Sequence, residues 1–274
     1  MAGNEALQPI ETFGRLAGFG PLLRRELRKW WQTDSLRLHS GQVWWVQALL
    51  WLLIVNGFLA IVLFVIPRLP VPEGQAAMPG EPLINGLQAF FQVGGMALSI
   101  GVIILAQDEI IGEKQSGTAE WLLSKPVARP AFLLSKVAAH GIAILFVMLG
   151  LQGVVAYALL SAVGQADVPR FLAGLGVLGL HLLFYLTLAL LVGVVAKSRG
   201  PVLAVTFGSL LGGQILAALK PLVLFTPWKL LDVSAVIAVG APLSPELASP
   251  IVATAVWFLL FVVAMIWQFE RLEF

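Results

Sequence analysis

Cysteine is absent from all 274 residues, which excludes disulfide frameworks, thiolate metal sites and thiol nucleophiles. Charge is scarce as well: Asp, Glu, Lys and Arg make up 12% of the chain, against about 25% in soluble domains. No G-x-x-x-x-G-K-[ST] run occurs, so the chain has no phosphate-cradling loop of its own. H-E-x-x-H and Ser-His-Asp spacings are missing too, and all 15 carboxylates read as lying in loops, arms or tails. No catalytic role is supported. What fills the chain instead is apolar: 59% hydrophobic residues, 27 glycines and a mean hydropathy of +0.91. A soluble core of this size has too little polar surface to cover that much apolar material. The fold class is an all-α integral membrane protein.

A membrane-crossing helix needs about 20 mostly apolar residues. Six segments meet or approach this: 43–66, 83–106, 137–162, 171–196, 201–219 and 251–267. The first apolar run starts at Val43, too late for a cleaved signal peptide, so the spans read as permanent. Residues 221–241 are apolar but broken by Pro227, Lys229 and Asp232, and read as short helices at the interface or dipping partly in. A seventh span there is the competing reading. Thirteen of the 17 Lys and Arg fall on one side of this six-span arrangement, which puts both termini in the cytoplasm of a cell-membrane protein. The chain divides into a cytoplasmic arm, 1–42, and a six-span membrane domain, 43–274. Residues 67–82, rich in Pro and Gly, are an extended connector on the outside.

Local patterns add detail. Leu16, Phe19, Leu23, Leu27 and Trp30 recur at helical spacing, with Arg24, Arg25, Arg28 and Lys29 opposite, which predicts a basic amphipathic helix on membrane lipid. Gly174, Gly176 and Gly179 spell G-x-G-x-x-G inside an apolar span, where close helix packing is the better reading than dinucleotide binding. His140 and His181 lie within spans with no carboxylate beside them, and read as neutral side chains bonded to a neighbouring helix rather than as a metal site. Gly208, Ser209 and Gly212 line one face of the fifth span, where a helix of the same subunit or of a second one can approach closely.

The longest loop on the basic side is 107–136. Asp108 and Glu109 end the second span, Gly112 and Gly117 break the stretch, and Thr118 reads as the N-cap of a short helix through Trp121, Leu122 and Leu123. Pro126 stops that helix, and Pro130 starts the next. A short helix with exposed apolar residues reads as a surface for a partner.

An acidic residue, a glycine and polar turn, LLS-x-P-x-x-R, and then a lysine opening a span together resemble the type-2 ABC exporter permeases. The positions are Glu109, Gly112, Gly117, Leu122, Leu123, Ser124, Pro126, Arg129 and Lys136. The resemblance implies that the loop, with Glu113, Thr118 and Trp121, couples to a separate ABC ATPase subunit carrying ATP and Mg, so that this chain needs no cofactor. It also implies export by a pair of permeases, the second an identical copy or a paralogue, with Gly208, Ser209 and Gly212 at the seam or on the path. Nothing suggests a nucleic-acid partner. An ATP-independent transporter or channel, or an assembly protein of the membrane, is the alternative.

Overall fold

Hydrocarbon offers the backbone no hydrogen-bond partners, so a chain this apolar must satisfy its amides inside helices. The computed structural model describes residues 14, 16–31, 43–70, 81–216, 219, 223–243 and 245–271, and its regular elements are helices, with no strand among the described residues. Residues 71–80 of the expected connector 67–82, most of the arm 1–42 and the last three residues lie outside them.

In chain order the helices are α1 (Phe19–Trp31), α2 (Trp44–Arg68), α3 (Pro82–Gln115) and α4 (Thr118–Leu123). There follow α5 (Arg129–Ser161), α6 (Val168–Val195), α7 (Arg199–Leu216), α8 (Leu230–Val239) and α9 (Pro245–Glu270). Five of them, α2, α3, α5, α6 and the Leu247–Glu270 part of α9, are long and apolar enough to cross a membrane. The expected fifth span is the 18-residue α7, which opens on Arg199, carries Gln214 and falls short of that measure.

Start and stop signals act where the chemistry asks. Asp167 caps α6 by accepting from the Arg170 amide at 2.9 Å, with Pro169 in the first turn. Gly240, at φ +84°, ends α8 in the left-handed conformation. The predicted N-cap Thr118 is instead the first residue of α4. Gly117 precedes it at φ +68°, a conformation that favours glycine and turns the chain sharply between α3 and α4.

The centre of the bundle is α6, with 78% of its apolar window buried against 17% for α9. It packs on α3, α7, α8 and α9. Within the segment read as lying at the interface or dipping partly in, α8 is buried along α6 and the start of α3 through Leu230, Leu231, Val233 and Ala235. The ten residues of α8 are too few to span by themselves. Polar side chains inside the bundle are paired across helices. Asn56 of α2 donates to Gln152 of α5 at 2.9 Å, and Gln152 donates to the Ala48 carbonyl at 3.1 Å. Both pairing segments adjoin widened π-helical turns, Leu52–Asn56 and Ile144–Gly150, where extra backbone carbonyl capacity is open to a side-chain donor.

Candidate functional site

At one end of the bundle α1, α4, the turn at 107–110 and the ends of α5, α6, α7 and α9 come together. The 107–129 segment is tied to each of them. Lys114 donates to the Val194 and Ala196 carbonyls, both at 2.9 Å, closing the C-terminal end of α6. Asp108 receives both guanidinium arms of Arg199 at 2.7 Å, joining α3 to the start of α7. Arg129 donates to the Glu270 carbonyl at 2.7 Å, and Phe132 stacks on buried Phe269 at 5.4 Å, joining α5 to the end of α9. The Ala128 amide donates to Ala17, just ahead of α1, at 3.0 Å.

Beneath this segment lies a buried charge cluster. Lys136 is fully buried, with its ammonium 3.1 Å from Glu113 and 3.5 Å from both Glu26 and Glu109. Lys29 adds contacts to Glu26 at 2.7 Å and Glu113 at 3.1 Å, and Arg25 reaches Glu113 at 3.6 Å. Three carboxylates thus meet three cations. Burial opposes the charge on Glu26, but Lys136 and Lys29 outweigh it and hold that carboxyl below its usual 4.5. His140 completes the cluster: Trp30 donates to its Nδ1 at 3.1 Å, leaving Nε2 to carry the proton toward Glu109, 2.8 Å away. Glu26, Glu109 and His140 bring three ligand-type atoms within 4.8 Å of one another. The ammonium of Lys136, 3.5 Å from both carboxylates, already supplies the cation there.

This corrects several expectations. His140 does have a carboxylate beside it, because the helical run of α3 continues past the expected end of the span and brings Glu109 under α5. The buried line of α1 is Leu22, Glu26 and Trp30, with Leu16 exposed ahead of the helix. That line packs on α5 of the same chain, and Arg25 and Lys29 turn toward Glu113. Glu26 shares the four-residue spacing of Leu22 and Trp30, a signal present in the sequence and outweighed there by its charge. Lys114, Asp108 and Arg199 carried no such signal, since each partner lies some 80 to 90 positions away along the chain.

The expected coupling residues separate into two sets. Glu109 and Leu122 are buried, Leu123 packs against the core, and Glu113 and Arg129 are engaged within the chain. Gly112 lies against Asp108, where a Cβ would meet the carboxylate at 3.2 Å. Exposed are Trp121, Ser124 and Pro126, with Ser116, Glu120 and Lys125 beside them. Trp121 is 59% exposed, with the Lys125 ammonium 3.9 Å from its ring centroid. Thr118, half-buried, bonds Ser116 at 2.8 Å. On α7, a Cβ at Gly208 or Gly212 would meet nothing within 4 Å, and Ser209 is half-buried.

The fold and this end together define a helical integral membrane protein whose longest described loop grips the ends of its long helices. Residues 43–226 match the family described as ABC-2 family transporter protein. The chain belongs to that family, the membrane subunits of ABC transporters, which generally work with an ABC ATPase partner and are not themselves catalytic. The matched region holds Glu109, Glu113, Lys136 and His140, whereas Glu26, Lys29 and Trp30 of α1 precede it. No curated protein matches the chain.

Proposed function

We propose that this chain is the permease subunit of an ATP-driven exporter. It would cross the cell membrane six times, with α7 as the fifth span and both termini in the cytoplasm, and pair with a second permease copy or paralogue. ATP and Mg would bind on a separate ATPase subunit that docks on α4. The observation that carries this reading is the set of ties from the 107–129 segment to α6, α7, α9 and the chain ahead of α1. A push on that segment moves the ends of three helices of the bundle at once, because short charged and backbone contacts link them with little slack. The charge cluster makes α1 part of the same body. The exposed anchor for docking is Trp121, steadied by Lys125, in place of the buried Leu122.

The test is purification of tagged protein in mild detergent together with its ATPase. Trp121→Ala should weaken retention of the ATPase by about tenfold or more, with the melting temperature unchanged because the ring is exposed. Unchanged retention would put the docking surface elsewhere, and absence of any ATPase would remove the reading altogether. Orientation is read separately: a single cysteine at Ser116, in a chain with none, should react only from the cytoplasmic side.

A further inference from the structure

Polar groups in the bundle's apolar interior are, with few exceptions, bonded. The hydroxyls of Ser99, Thr187, Thr206, Ser234 and Thr254 return to carbonyls of their own helices. Around the turn before α8, Trp257 donates to the Phe225 carbonyl at 2.7 Å and Ser249 to Leu224 at 2.9 Å. Lys229 and Asp232 pair at 3.0 Å, and Gln92 donates to Asp232 at 3.1 Å.

One group of side chains departs from this economy. Both ring nitrogens of His181, the Tyr185 hydroxyl and the Trp228 indole N–H are shut away from solvent without a hydrogen-bond partner. His181 and Tyr185 are both 0% exposed, with ring centroids 5.0 Å apart on α6. They are neighbours of the same turn and the same helix: the Pro227 backbone is within reach of His181 and Ser209 of α7 within reach of Tyr185, each at a geometry that falls short of a full hydrogen bond. The Trp228 indole lies against Gly213 of α7, one helical turn from Ser209, where any side chain would overlap the ring. Four polar groups from α6, α7 and the turn before α8 therefore converge in apolar surroundings. A buried polar atom left unpaired is costly, and more so where no water can reach it, so such a group calls for a partner that arrives from outside the chain.

We propose that His181, Tyr185, Ser209 and Trp228 form a binding station for the hydrogen-bonding head of an uncharged, otherwise apolar molecule. The group offers donors (the Trp228 N–H and the hydroxyls) and an imidazole nitrogen that accepts, which suits a hydroxyl or carbonyl. It contains no ionised side chain to balance a charged ligand, and the nearby Lys229 and Asp232 already neutralise each other. The rings of Tyr185 and Trp228 themselves supply apolar surface for the remainder. The station lies where α6, α7 and the turn before α8 meet, and α7 presents only the backbone of Gly213 to Trp228, so a small separation of α7 opens it. Naming the occupant as cargo rests on the exporter reading above. The geometry of the station does not.

The experiment uses the permease with its ATPase in lipid nanodiscs. Single cysteines at His181 and, as the milder variant, at Ser209 are exposed to the water-borne cation methanethiosulfonate-ethyltrimethylammonium. Leu182→Cys, equally buried on α6, is the dry control. Both test positions should react faster than Leu182→Cys, and ATP should change their rates. Dodecanol should slow the reaction about fivefold, the effect of one net hydrogen bond, while dodecane, which perturbs the lipid but cannot bond, should not. Rates equal to the control at both positions, with and without ATP, would overturn the station. Equal effects of dodecanol and dodecane would overturn the ligand class and leave a merely hydrated gap. Reaction and dodecanol protection that ignore ATP would support the station and count against the exporter reading instead.

Discussion

Replacing Lys136 by methionine keeps the length and apolar stem of the side chain and removes one charge. In the native cluster that ammonium lies 3.1–3.5 Å from three carboxylates. At an effective dielectric of about 20 each contact is worth about 5 kcal/mol before desolvation. Burying the ammonium completely cancels much of that sum, so the pairing adds little net stability over an apolar core. Removal is another matter. Glu26, Glu109 and Glu113 would be left facing only Lys29 and Arg25, with one buried negative charge uncompensated. Taking one partner from a buried ion network costs about 3–5 kcal/mol, which for a domain of this size lowers the melting temperature by about 10 °C. The assay is intrinsic tryptophan fluorescence during heating in detergent at fixed scan rate, since membrane proteins seldom unfold reversibly. Glu109→Gln added to Lys136→Met restores the balance of two carboxylates to two cations while leaving His140 an acceptor. The double variant should regain about half of the loss, a coupling measurable by a double-mutant cycle. If Lys136→Met melts within about 2 °C of the parent, or if the two losses simply add, the cluster does not hold α1, α3 and α5 together as argued.

Leu122→Asp should now act on folding: the side chain is 7% exposed, and an unpaired carboxylate in that core costs several kcal/mol, seen as loss of the monodisperse peak on size exclusion. Normal yield with lost transport would mean that Leu122 faces a partner after all. Glu26 gives a pH signature. Its carboxyl is held below 4.5, so its stabilising share is complete above about pH 4.5 and is lost as the pH falls through the lowered value. Glu26→Gln should therefore lower the melting temperature at pH 7 and flatten its acid decline, and parallel curves for the two proteins would contradict this. Gly208→Leu with Gly212→Leu meets open space within the subunit, so the monomer should insert and fold as before. If α7 forms the seam, the dimer fraction measured by light scattering falls and transport with it; an intact dimer places the seam elsewhere.

Much of this architecture was legible in residue order alone. Composition demands a membrane protein, because no polar shell could be made from 12% charged residues. Run lengths locate the long helices to within several residues, and Gly117, Pro126 and Pro130 punctuate the chain by backbone sterics, which act locally and need no tertiary context. The segment 107–136 also carried its family resemblance in the open. What only the tertiary structure decided are the relations between distant positions and the depth at which each side chain lies. Glu26 and Lys136 are 110 positions apart, and Arg129 and Glu270 are 141 apart. No periodicity encodes such partners. For the same reason Leu122 and Trp121, adjacent and both apolar, could not be told apart as core and surface until α4 was seen packed. The placement of α8 turned on the same limit: a ten-residue helix, apolar but for Asp232 and Ser234, satisfies an interface or an interior equally well, and the side of α6 it covers is settled by the packing of the whole bundle.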